Sequence, residues 1–142
     1  MGDKRFNWFN GWLDIYSVDR NEFDKLVRMF DISVTDLIFT GTKISGKYEL
    51  SELQKQILSQ PITQEAIKYN FEESERQKQY SQGKLLNIQT SGGPYYSLDE
   101  REKVIAKNYA TTYRINAEEL QRGNKILTLE NIREKYGLKL VK

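Results

Sequence analysis

Between residues 19 and 30 the apolar positions Phe23, Leu26, Val27 and Phe30 recur at i, i+3, i+4 and i+7. That spacing lines one face of an α-helix. Asp19 followed by Glu22 forms a capping box at its start. In the next stretch, DISVTDLIFTG, Val34, Leu37 and Ile38 share one side. Ser33 is the expected N-cap of this short second helix, and Gly41 its stop. Residues 43–50, KISGKYEL, alternate about Ser45-Gly46 and predict a small hairpin. Ser51 is placed to cap a third short helix ending before Pro61. The longest helical pattern covers 63–80, with Thr63 as its cap and Ala66, Ile67 and Phe71 on its apolar face. Its second half is polar all round and is expected to project into solvent or bridge domains. Ahead of all this, FNWFNGWLDIY at 6–16 reads as a short strand or an irregular arm, with Phe6, Trp8, Phe9 and Trp12 as core plugs. Leu85, Leu86 and Ile88 suggest a strand before the boundary signal Ser91-Gly92-Gly93-Pro94.

The second half of the chain repeats the plan of the first. YSVDRNEF at 16–23 is echoed by YSLDEREK at 96–103, where Ser97 with Glu100 and Asp99 with Glu102 again make capping boxes. Val104, Ile105, Tyr109 and Thr112 supply the apolar face. RINAEELQRG then falls in register with DISVTDLIFTG, so Asn116 stands where Ser33 does and Gly123 where Gly41 does. GNKIL follows as GTKI did, and Thr128 caps a last helix as Ser51 caps its counterpart. The expected fold is mainly α with small β wings (α+β). Its domains are a first unit at 1–60, a linking helix and loop at 61–92, and a second unit at 93–142.

This order of helix, turn, short helix, glycine, basic β wing and closing helix resembles the winged helix-turn-helix of the excisionase and MerR-like families. The resemblance covers about 17–58 and 96–138. Tandem units in one chain also resemble the small DNA-binding proteins of Gram-positive conjugative plasmids, whose two halves mimic a dimer. The resemblance implies a sequence-specific, double-stranded DNA-binding protein of a mobile element, acting in plasmid transfer, excision or transcription regulation. It implies a monomer with pseudo-dimeric halves, each placing a short helix in the major groove, which carries the full donor and acceptor code. In the first unit Thr35, Thr40 and Thr42 would face DNA with Lys43 at the helix end, and Lys43 and Lys47 on the hairpin would suit phosphates. In the second, Arg114, Gln121, Arg122, Asn124 and Lys125 would do so. Arg122 and Asn124 are the better base readers, because guanidinium and amide groups bond two base-edge atoms at once.

Composition sharpens this in both directions. The chain has 142 residues, net charge +2, and neither cysteine nor histidine. Disulfides and thiolate chemistry are therefore excluded, and the commonest general base and metal ligand are missing. No recurrent carboxylate spacing, nucleophile elbow or phosphate-binding loop is present, so the chain is expected to be no enzyme and to use no cofactor or metal. Apolar runs such as Leu37-Ile38-Phe39 are far too short to cross a bilayer, and a cytoplasmic location is expected. Charge is uneven. Residues 1–57 carry 8 Lys/Arg and 9 Asp/Glu, residues 58–87 carry 4 and 4, and residues 88–142 carry 10 and 7. An anionic partner would favour the last third. Asp36, Glu118 and Glu119 oppose it, because they lie near the reading helices. The alternative is a small phage or plasmid protein-binding module that inhibits or bridges a host factor, supported by Tyr69, Tyr80, Tyr95, Tyr96 and Tyr113 as hot-spot residues.

Overall fold

A computed structural model describes residues 2–8, 11–83 and 100–137, with side chains from residue 18 onward. Strands β1 (Gly2–Trp8) and β2 (Gly11–Ser17) pair antiparallel, from Gly2 opposite Ser17 to Trp8 opposite Gly11. Everything described after Ser17 is helix, turn or coil. The helices are α1 (Arg20–Arg28), α2 (Ile32–Thr40), α3 (Leu50–Ser59), α4 (Gln64–Ser81), α5 (Glu100–Gln121) and α6 (Leu129–Tyr136). The side chains of Phe6, Trp8, Phe9 and Trp12, the strand expected at 85–88 and the boundary at 91–94 lie outside the described residues.

Three of the expected caps form. Asp19 accepts from the Glu22 amide at 2.8 Å, Thr63 from the Ala66 amide at 3.1 Å and Thr128 from the Asn131 amide at 3.1 Å. Each satisfies a donor that a helix start leaves without an intrahelical partner. At α2 the cap is Asp31 instead of Ser33. Its Oδ1 accepts from the amides of Ser33 and Val34 at 3.0 and 3.2 Å. Helix α3 starts at Leu50 with no side-chain cap, so Ser51 lies inside it. Gly41 closes α2 in an extended conformation. A Cβ there would meet the Leu37 carbonyl oxygen at 2.4 Å, which explains the residue type.

The core follows the apolar stripes. Leu26, Val27, Phe30, Val34, Ile38, Leu53, Ile57, Ala66, Ile67 and Leu120 form one buried cluster, which draws on α1 to α5. Ile32, Tyr113, Ile115, Ile126 and Ile132 form a second, under α6. Side chains before residue 61 and after residue 92 thus share one interior.

The winged, duplicated architecture is not what forms. No strand follows α2 or α5 among the described residues, so there are no β wings. Residues 43–50 leave two residues before Ser45-Gly46 and four after it, the last of them already in α3, and of Ser45 and Gly46 only Gly46 takes a positive φ, +119°. Lys43 reaches Glu49 at 3.1 Å, and the Tyr48 ring turns away onto Phe23 at 5.2 Å. The segment is a loop held at its base. The internal repeat fails at the turn. Where α1 and α2 break at residues 29–31, α5 runs unbroken through residues 112–114. Asp31, which caps α2, is matched in register by Arg114, which has no acceptor to offer an amide. Arg114 instead pairs with Glu118 at 2.7 Å, one turn along the same helix. Asn116, expected as a cap, is buried in mid-helix.

Along α5 the buried residues Ala106, Ala110, Tyr113, Ala117 and Leu120 alternate steps of four and three. This is the seam of a helix packed lengthwise on another. The partner is α4. Asn70 bonds to Asn116 at 3.0 Å and Ser74 to the Ala110 carbonyl at 2.6 Å, so the two helices run antiparallel. The polar second half of α4 therefore does not project into solvent. Ser74, Gln77 and Ser81 are half-buried, and Ala110 of α5 lets the short Ser74 come close.

The α1–α2 turn is locked onto this helical pair. Phe30 has φ 53°, a left-handed conformation that is costly for a residue with a Cβ. Amide bonds from Phe30 to the Val27 carbonyl (3.1 Å) and from Asp31 to the Leu26 carbonyl (3.0 Å) close the end of α1. Asn116 donates to the Phe30 carbonyl and Asn70 to the Met29 carbonyl, each at 2.8 Å. Tyr69 and Tyr113 donate to the Asp31 carboxylate at 2.6 and 3.0 Å.

Candidate functional site

The ten residues expected to read DNA do not gather on one face. Thr35 is buried and donates to the Leu127 carbonyl at 2.8 Å. Leu127 has φ 73° at the centre of a tight turn, so Thr35 pins a strained connection between α5 and α6. Thr40 returns its hydroxyl to the Asp36 carbonyl at 2.6 Å, while Asp36 caps the Leu129 amide at 2.9 Å. Thr42 and Lys47 are exposed on the 41–49 loop, and Lys43 is in its ion pair with Glu49.

Most of the second set makes contacts within the fold while staying partly exposed. Gln121 is exposed. Arg122 and Asn124 bond to the buried carboxylate of Glu119 at 3.1 and 2.9 Å. Lys135 joins at 2.9 Å, and Tyr136 donates its hydroxyl to the same group. Glu119 thereby ties the end of α5 to the end of α6. Hydrogen bonds from Tyr136, Lys135 and Asn124 hold its carboxyl down to about 2, against the opposing effect of burial. A depressed carboxyl pKa stabilises the fold above the unfolded value and is lost as pH falls through the folded one. Glu119 therefore contributes fully above about pH 4.5 and loses its contribution between there and about pH 2. Glu119→Gln is expected to flatten the acid decline of stability over that window, read from urea midpoints at successive pH values. An unchanged acid limb would sink the assignment. Asp31 acts with the opposite sign. Burial raises its carboxyl pKa despite the tyrosine and amide hydrogen bonds, so protonating it favours the fold.

Lys125 is the largest departure from a base-reading role. Its ammonium donates to the carbonyls of Ile57, Leu58 and Gln60 at 3.0, 2.8 and 2.7 Å, and sits 5.3 Å from the centre of the Phe30 ring. A cation at the open carbonyls of a helix end is favourable both as a cap and against the helix dipole. Burial lowers its pKa. Lys125→Met is expected to lower stability by about 1 kcal/mol, the net worth of such hydrogen bonds at a partly exposed site. Thermal unfolding measures it, and an unchanged midpoint would show the ammonium to be solvated.

On the remaining surface several cations are ion-paired and a few large apolar side chains stand exposed. Lys55, Lys68, Arg76, Lys103 and Arg133 each lie beside an acid three or four residues away. Against this background Leu37 on α2 is 61% exposed, Ile44 at the loop tip 97% and Leu58 on α3 58%. Helices α2 and α3 pack together, with Gln54 of α3 donating to the Ile38 carbonyl of α2 at 3.0 Å. The loop that carries Ile44 is fastened at Tyr48, whose ring lies under Arg20 at 5.7 Å and whose hydroxyl reaches Asp24 at 3.4 Å. Periodicity assigns Leu37 to the interior because it falls with Val34 and Ile38, yet the buried face of α2 runs through Ile32, Val34, Thr35 and Ile38 and leaves Leu37 at its edge. The tyrosines offered as hot spots divide. Tyr113 is buried on Asp31, Tyr69 and Tyr80 are half-buried, and Tyr95 and Tyr96 lie outside the described residues.

No helix among the described residues is long and apolar enough to cross a membrane. No protein-family model matches the chain, and neither a curated protein nor a solved structure shows significant similarity to it.

Proposed function

We propose that the chain is a protein-binding module whose partner docks on the side built from α2, the 41–49 loop and the last turn of α3. The exposure of Ile44, held at the tip of a loop fastened by the Lys43–Glu49 pair and by Tyr48, carries this reading. An aliphatic side chain kept almost wholly in water by a pinned backbone is positioned to enter a partner's pocket. Leu37, close to Gly41 at the foot of the loop, supplies further apolar area, and Leu58 is exposed on α3. Lys43 and Lys55 on this side pair with Glu49 and Glu52, which lowers the local positive field and suits a protein surface.

The test is a photo-crosslinking residue placed at Ile44 and, as a control, at Lys68 on the exposed side of α4. In extract from the source cells, position 44 is expected to yield a discrete adduct with one polypeptide, lost in a Leu37→Asp, Leu58→Asp background, while position 68 yields none. Equal labelling from both positions, or none from 44, would overturn the reading.

Duplex DNA remains as a second reading for one reason. Arg20, Lys43 and Lys47 flank the same loop, with Thr40 and Thr42 beside it. Three phosphate contacts would give log affinity a slope of about −3 against log salt. Lys43→Ala with Lys47→Ala would then reduce that slope by about two. Retention of no duplex at low salt is the outcome expected if the protein-binding reading holds.

A further inference from the structure

We draw no further inference here: the strongest candidate, the shallow depression flanking Tyr48 where Val18, Arg20, Phe23 and Lys47 meet, is an open surface patch whose cations are balanced by Asp19 and Asp24, and nothing in the structure shows what covers it.

Discussion

Phe30→Ala is expected to destabilise the protein by about 3–5 kcal/mol, the usual cost of emptying a buried aromatic site. Phe30 is 1% exposed, packs with α1, α2, α3 and α4 residues of the larger core, and underlies the Lys125 ammonium. The informative comparison is Phe30→Gly. At an ordinary buried position glycine is worse than alanine, because it frees the unfolded chain and packs less. At φ 53° the order inverts, because alanine keeps the left-handed penalty that glycine escapes. Glycine is therefore expected to be the milder substitution by up to about 1 kcal/mol. Urea unfolding of the two variants at neutral pH measures the difference. A glycine variant less stable than the alanine variant would show that the left-handed turn is not held as described. The position illustrates why a bulky residue ends a helix here: the ring is needed below, and the strain is offset by the bonds that fix the backbone around it.

The same turn marks where the sequence stops being legible. Helix starts at residues 19, 63 and 128 follow from a hydroxyl or carboxylate placed before an apolar stripe, and all three caps form. The echo between 16–23 and 96–103 compares caps and apolar positions alone. It does not weigh the one residue that ends α1 and begins α2. Asp31 accepts amide bonds and Arg114 cannot, and that difference turns two short helices into one long helix. A signal was present. The 106, 110, 113, 117, 120 stripe runs straight across the expected break, but three of its five members are alanines that hydrophobicity underweights. Its counterpart on α4 runs through Asn70 and Ser74, polar residues that no apolar period can reveal. The site suffered from a related limit. Lysine and arginine spacing shows that charge is present, whereas its availability depends on acids and carbonyls brought close only by folding. Lys125 meets α3 across more than sixty residues, and no local pattern announces that.

Asn116→Leu is expected to cost about 2–4 kcal/mol, because it leaves two buried acceptors, the Phe30 carbonyl and Asn70 Oδ1, without the amide that serves both. Asn70→Leu removes donors from the Met29 and Ala66 carbonyls, of which the latter keeps its helical surroundings. The double variant tests the network. Once Asn70 is gone its Oδ1 no longer needs a partner, so the two losses should fall short of additive by about 1–3 kcal/mol. Strict additivity would mean that the two amides do not touch. Hydrogen exchange gives an independent reading at the turn itself. The Asp31 amide, bonded to the Leu26 carbonyl, is expected to exchange faster in Asn116→Leu, while the Ala66 amide under its Thr63 cap keeps its protection. That contrast separates local release of the turn from general loosening. It also bears on binding, because α2 presents Leu37 from the far side of this turn. If Asn116→Leu frees the turn, crosslinking from Ile44 should weaken although no residue of the docking surface has changed.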